Sequence, residues 1–345
     1  MIKKINTPSY IIDKKILKGF NQRQTVFGRK LYDEKSDFYK KEMYDNSSKV
    51  ISSGKEGYSH LDFARMMGSW AVYDYFHDAF SWSNLADANS VMQKPVLEKF
   101  SAKNTEKMSE EIKKTARYYG AYQVGITYVN DNWIYSKDMD DNHIKIPEEC
   151  KFAIVMTVKM DGSAIKTSPA FTACTATGHA YSKMAFLISC LAEFIRTLGY
   201  KAIPMGNDTA LSIPLAIDAG LGALGRNGLL LTPEYGPRVR ICKVFTDMPL
   251  IADEMNSGFI KKVEKFCKTC FKCAEACEND AITKEKDPTF EPPTISNNAC
   301  IKKYYVDGEK CFEFWIENSG DCGNCIAACP FSKIKRFSSS SDFWK

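Results

Sequence analysis

The sequence lacks any apolar run long enough to cross a bilayer as a helix, which excludes a helical membrane protein. Its first twenty residues, MIKKINTPSYIIDKKILKGF, contain neither the apolar h-region nor the Ala-x-Ala site of a secretory signal, and no twin-arginine pair. That start predicts a reduced, cytoplasmic setting. Strong charge of one sign is missing as well. The net charge of +5 is spread over 345 residues, with no basic stripe set apart from the acids, so nucleic acid is not an expected partner. Histidine is scarce: His60, His77, His143 and His179 stand far apart, with no HExxH pairing, and each reads as an ordinary surface or hydrogen-bonded core residue. What remains, 44% hydrophobic and 26% charged residues, is the composition of a globular chain large enough for two or three units.

Cysteine is the residue in excess, with thirteen crowded toward the C-terminus. A small secreted chain would use them as disulfides; a chain of this size with this distribution points to metal or redox chemistry. Cys267-x2-Cys270-x2-Cys273-x3-Cys277 is the run of bacterial two-cluster ferredoxins. Three thiolates on one tight loop reach three corners of a four-iron cubane, while the fourth, starting a helix, points at the neighbouring cluster. The second run, Cys322-x2-Cys325-x3-Cys329-Pro330, lacks its usual first cysteine; Cys311 is the best replacement and Cys300 the second choice. Crossed ligation gives one [4Fe–4S] cluster to Cys267, Cys270, Cys273 and Cys329, and the other to Cys277, Cys311, Cys322 and Cys325. Zinc is disfavoured, because zinc ribbons are not built on this spacing. Cys150, Cys174, Cys190 and Cys242, with Cys300 if Cys311 is the ligand, read as core residues.

Periodicity divides the rest. Residues 1–105 are aromatic-rich and weakly periodic, with one helix-like stretch from Leu61 to Phe80. They form an N-terminal, mostly helical extension whose Trp70, Tyr73, Phe76, Phe80 and Trp82 are candidates to wall an apolar pocket. Residues 106–250 alternate helix and strand patterns, an α/β (α+β) core. A helix carrying Met108, Ile112, Ala116 and Tyr119 ends at Gly120, and strands AYQVGITY and FAIVMTV follow. A long helix from about Thr172 to Leu198 then puts Tyr181, Met184, Ala185, Ile188, Ala192 and Ile195 on one face and stops at Gly199. KAIPM, a short helix near Ser212–Ala219, and VRICKVFTD complete it. Residues 251–337 carry the cysteines as a ferredoxin-like unit, and 338–345 read as a surface tail.

Three signals are weaker. Gly220-x-Gly222-x-x-Gly225 matches a dinucleotide fingerprint but follows a helix-like LAIDA, so it predicts a tight backbone turn near a cofactor and not an NAD site. Asp141-Asn142-His143 begins like the Asp-x-His-x-x-Gly signature of cobalt-ligating histidines, but position 146 is Ile and the signature fails. Lys261, Lys262, Lys265, Lys268 and Lys272 flank the first cysteine run; most such faces are simply solvated, and an acidic electron donor can dock on one.

Taken together, AGLGALGRNGLLLTPEYGPRVR, TDMPL, FCKTCFKCAEAC and KCFEFWIENSGDCGNCIAACPF resemble the corrinoid- and iron–sulfur-dependent reductive dehalogenases. FNQRQTVFGR, GAYQVGITY and EFIRTLGYKAIP are similar to that family too. The resemblance implies a base-off cobamide, with no protein ligand to cobalt, buried between the core and the cluster unit near Gly222, Gly225 and Arg226. It places the family's catalytic tyrosine on Tyr181, its pocket asparagine on Asn207 and its pocket cation on Arg240. It also supports Cys311 as the eighth ligand. The implied reaction removes halide from a small organohalide, with electrons from a ferredoxin- or flavodoxin-type donor and a proton from the tyrosine; a phenol, titrating at ~10, keeps its proton at neutral pH. Without the resemblance, Tyr181 reads as a core tyrosine and Arg240 as a surface strand residue.

Two other readings stand beside this one. The epoxyqueuosine reductases share the corrinoid core and paired clusters, use a catalytic aspartate (Asp208 sits beside Asn207) and usually continue into a helical-repeat domain that binds transfer RNA. This chain ends at Lys345, shortly after Cys329, which places that reading second. A ferredoxin-type electron carrier is a distant third, because a carrier needs no α/β body.

Overall fold

The computed structural model describes residues 12–13, 19–85, 95–101, 104–299, 301–333 and 340–344. Alternating apolar residues build a four-stranded sheet from β1 (Gln123–Tyr128), β2 (Phe152–Lys159), β3 (Ala202–Met205) and β4 (Val239–Thr246), in the order β1-β2-β4-β3. Every pairing is antiparallel, so the core is of the α+β kind. Because side chains alternate across a strand, Ile154, Met156, Cys242 and Val244 face one side, and Ala153, Val155, Ile241 and Phe245 face the other.

Helices cover both faces, which is why the strands are apolar throughout. The long helix α3 (Phe171–Thr197) lies against the first face, burying Met184, Ile188 and Ala192 there. Its opposite side packs on α1 (His60–Phe76), and α2 (Thr105–Tyr118) closes the end with Met108, Ile112 and Ala116. Gly178 sets the α1–α3 approach: a Cβ there would stand 2.4 Å from Ser69 Oγ and from the Trp70 ring. On the second face lie α4 (Ser212–Asp218), with Leu215, Ala216 and Ile217, and α5 (Ser257–Thr269), with Ile260 and Val263. Gly120 and Gly199 follow their helices at φ 109° and 82°, a left-handed backbone that other residues adopt at a cost.

The thiol-bearing unit continues from α5 to α6 (Gly308–Asn318), which Asp307 caps by accepting from the N–H groups of Glu309 and Lys310. It is sewn to the core by a buried arginine: Arg238 donates to Ser332 O at 2.9 Å and to Met160 O at 3.0 Å. Two sequence expectations give way. Ser340–Trp344 is docked, not a loose surface tail: Ser340 is buried against Thr172, and Trp344 Nε1 donates to Thr172 Oγ1 at 3.1 Å. Phe80 and Trp82 are core residues, 1% and 6% exposed, with Trp82 Nε1 held by His143 O at 3.2 Å; an aromatic-heavy stretch does not disclose which rings face inward. Among the described residues, no helix is long and apolar enough to cross a membrane.

Candidate functional site

Strand parity puts Arg240 on the α3 side of the sheet, with Cys242 and Val244, and α3 presents Tyr181 toward it. The loop after β3 brings Asn207 to the same place. Asn207 Nδ2 donates to Tyr181 Oη at 2.8 Å, and the Arg240 guanidinium carbon lies 5.1 Å from the Tyr181 ring centroid. Trp70 of α1 stacks on Tyr181 (4.8 Å, 25°) and Tyr73 flanks it at 4.9 Å. Burial, then the Asp208 carboxylate, raises the pKa of Tyr73 far above the usual range, so it keeps its proton. Phe76, also expected at the pocket, is 53% exposed and touches none of this cluster's rings.

Arg240 also donates to Thr177 Oγ1 at 3.2 Å and lies 4.0 Å from the buried carboxylate of Asp321, the residue before Cys322. The tyrosine cluster therefore abuts the thiol-bearing unit. Among the described residues, Arg240 Nε and Trp70 Nε1 are buried without a hydrogen-bond partner. Two buried donors left open beside a partly exposed tyrosine are what a polar-edged cofactor would satisfy.

Opposite parity puts Lys243 on the other face, under the 206–212 loop. It is fully buried; its Nζ donates to Gly206 O (2.7 Å), Ala210 O (2.6 Å) and Ser212 Oγ (2.9 Å). Burial lowers its pKa to about 7, against the opposing pull of Asp208. Asp208 is itself raised by burial, while Gln22 Nε2, donating to it at 2.5 Å, and Lys243 favour its charged form. Lys243 and Gln22 escaped the sequence reading; the signal for Lys243 was a lysine inside an otherwise apolar strand.

The electrostatic neighbours of four of these cysteines fall mainly within the two expected groups, the action of Cys273 on Cys325 being the exception. After burial, the neighbours that raise Cys273 to about 12 are Cys267, Cys329 and Cys270, and those that act on Cys329, raised to about 11, are Cys267 and Cys270. For Cys311, raised to about 12, they are Cys322 and Cys277; for Cys325, raised well above its ordinary value, they are Cys311, Cys322, Cys273 and Cys277. Backbone N–H groups point at the sulfurs, Ala281 to Cys277 at 3.3 Å and Asn324 to Cys322 at 3.5 Å, as thiolates in iron–sulfur sites favour. All eight are free of disulfides. Among the described residues, no three His, Cys, Asp or Glu side chains are gathered tightly enough to hold a single ion. Two sets of four soft donors fit two polynuclear clusters. Cys150, Cys174 and Cys242 are core residues and Cys190 is half-buried; Cys300 lies outside the described residues.

Gly222 and Gly225 pack on Leu231, where a Cβ at Gly222 would be 2.3 Å from Leu231 O. Arg226 reaches the loop of Cys267. Lys261, Lys262, Lys265, Lys268 and Lys272 form an exposed face beside the first thiol group. A cavity of about 470 Å³ opens on the thiol-bearing unit, between 280–293 and 303–310, and shares no residue with the Tyr181 cluster.

The family described as "4Fe-4S dicluster domain" matches residues 266–333, and the one described as "Reductive dehalogenase subunit" matches 122–250. A tetrachloroethene reductive dehalogenase of Desulfitobacterium hafniense is 36% identical over 298 residues, 74% of this chain and 53% of that one. This chain belongs to the reductive dehalogenase family. The corresponding enzyme of Sulfurospirillum multivorans is also 36% identical, over 286 residues, 73% of this chain and 56% of its own. The family member spans only about half the length of these curated relatives. Its fold is that of the catabolic reductive dehalogenase NpRdhA solved with 3-bromo-4-hydroxybenzoic acid (TM-score 0.71, 20% identity, 98% of this chain and 44% of that one). An epoxyqueuosine reductase of Cyclobacterium marinum is 24% identical over 162 residues, 45% of this chain and 47% of that one.

Proposed function

We propose that this chain removes halide from a small organohalide, R–X + 2e⁻ + H⁺ → R–H + X⁻, at the face of Tyr181. The observation that carries the reading is the convergence of Tyr181, Asn207 and Arg240 at a place that abuts the thiol-bearing unit through Asp321. A cobamide bound beside Tyr181 would supply the reducing chemistry that breaks the carbon–halogen bond, and iron–sulfur clusters held by the cysteines would supply the electrons. Trp70 Nε1 and Arg240 Nε, the open buried donors, are the residues that would hold its polar edge. Near the site, both ring nitrogens of His77 are engaged, Nδ1 with Asp74 O at 2.8 Å and Nε2 with Asp78 at 3.0 Å.

The chain's own groups handle the proton. Asn207 donates to Tyr181 Oη, so the hydroxyl's own hydrogen is directed elsewhere, toward the substrate carbon. Trp70 and Tyr73 fix the ring plane, and Arg240 stabilises the phenolate left after transfer. Ligation is crossed, Cys267, Cys270, Cys273 and Cys329 for one cluster and Cys277, Cys311, Cys322 and Cys325 for the other. The exposed lysine face beside the first group receives an acidic ferredoxin- or flavodoxin-type donor. The test is halide release from a panel of chlorinated and brominated alkenes and phenols, under a strong reductant with added cobamide. Halide release above a no-protein control supports the reading; none from any member of the panel, with iron and cobamide bound, overturns it.

One observation favours a second reading. Asp208, raised by burial beside Asn207, is a carboxyl able to act as an acid, as in the epoxyqueuosine reductases. Turnover of an epoxyqueuosine substrate without halide release from any organohalide would select it.

A further inference from the structure

Arg226 is 1% exposed, and four of its N–H bonds end on neutral carbonyls. Nε and Nη2 donate to Cys267 O at 3.0 and 2.8 Å, and Nη1 to Thr283 O at 3.0 Å and Glu285 O at 2.7 Å. Phe271 and Tyr304 sandwich the guanidinium, their ring centroids 4.4 and 4.0 Å from its central carbon. Carbonyls and ring faces solvate a cation, but they carry no net charge to cancel it. Among the described residues, no ion pair includes Arg226; the nearby Asp287 is taken by Lys268 at 2.8 Å. A fully buried charge with no opposite charge is costly, and buried charges are as a rule paired. The negative charge missing from this region is the one that four thiolates on iron would bring: Cys267 is the residue the arginine grips, and Phe271 lies inside the same cysteine run.

We propose that Arg226 is the fixed counter-charge of the cluster on Cys267, Cys270, Cys273 and Cys329, holding it in place and raising its reduction potential. This rests on the cluster reading given above. Reduction adds one electron to an already anionic group, so a nearby cation stabilises the reduced form more than the oxidised one. Beside the second thiol group stands the buried carboxyl of Asp321, the residue before Cys322, which acts the other way, with Arg240 at 4.0 Å from it. The two clusters are therefore set apart in potential by the chain's own charges, the one under the lysine face being the easier to reduce.

The full chain, reconstituted anaerobically with iron and sulfide, is compared with Arg226→Gln, which keeps donors without charge, and Arg226→Lys, which keeps charge without the fork. Iron content and paramagnetic-resonance redox titration are the readouts. In Arg226→Gln, one midpoint should fall by about a decade in the oxidised-to-reduced ratio, ~59 mV for one electron, with the other unmoved, or half of the iron should be lost. Arg226→Lys should keep its iron and a midpoint near that of the parent. Arg226→Gln with full iron and both midpoints unmoved overturns the proposal. So does Arg226→Lys faring no better than Arg226→Gln, which would reduce the residue to a neutral tie between loops. A parent chain that takes up no four-iron cluster overturns the cluster reading itself, before any variant is compared.

Discussion

Two of the buried cations, Lys243 and Arg226, are satisfied in opposite ways. Lys243, beneath the 206–212 loop, has three oxygen partners and the Asp208 carboxylate close by; everything it needs is in the core. Arg226, reaching from the core into the cysteine unit, has neutral partners only, and that unit gathers eight thiols with no disulfide among them. The sheet and its helices are thus complete as a polypeptide, whereas the cysteine unit is arranged around charge and bonds that the chain does not itself contain.

The sharpest way to break this contrast is to withdraw the iron. Chelation, or Cys325→Ser, should release the backbone amides of residues 272–332 to hydrogen exchange while β1, β2 and β4 stay protected; uniform protection of both regions would erase the distinction. Next comes the proton donor. Tyr181→Phe should lower turnover ~10²–10⁴-fold, the usual contribution of general acid catalysis, with iron and cobamide content unchanged, and Asp208→Asn should be the milder variant. The reverse order at equal cofactor content transfers the acid to Asp208. The core's self-sufficiency is tested by Lys243→Met, which strands three oxygen atoms and the Asp208 carboxylate. It should cost ~3 kcal/mol in denaturant unfolding. Lys243 also carries a pH signature. Its folded pKa of about 7 lies below its ordinary 10.5, so the unfolded chain holds the extra proton between those values. Stability from this group therefore rises as the pH climbs from about 7 toward 10.5, and Lys243→Met should flatten that rise. The smallest effect concerns the eighth ligand: Cys300→Ser should leave the iron content untouched, whereas Cys311→Ser should cost the iron of one cluster.

Legibility followed chain distance. The cysteine runs could be read because one loop delivers three thiols, so spacing alone encodes geometry. The strands around Ile126, Ile154 and Val244 and the helix ending before Gly199 could be read because burial imposes a period of 2 or 3.6. The tyrosine cluster could not be read that way. Tyr181, Asn207 and Arg240 come from a helix, a loop and a strand, and nothing local marks them, so only a resemblance named them. Local pattern was silent or misleading elsewhere too. Phe80 and Trp82 looked like pocket walls and are core, and no local pattern announces that the guanidinium of Arg226 crosses to the Cys267 loop.

Gly178 has a consequence for anyone who wishes to change what this chain accepts. With no side chain of its own, it lets α1 lie directly on α3, so that Trp70 overlies the ring of Tyr181. Even a methyl group there would wedge the two helices apart and slide the indole off the phenol, altering specificity from a position that touches no substrate. Variant libraries should therefore hold residue 178 constant and diversify the rim. Substitutions at 178 are better used as a mechanical control, a shim of known thickness inserted one helical turn from Tyr181.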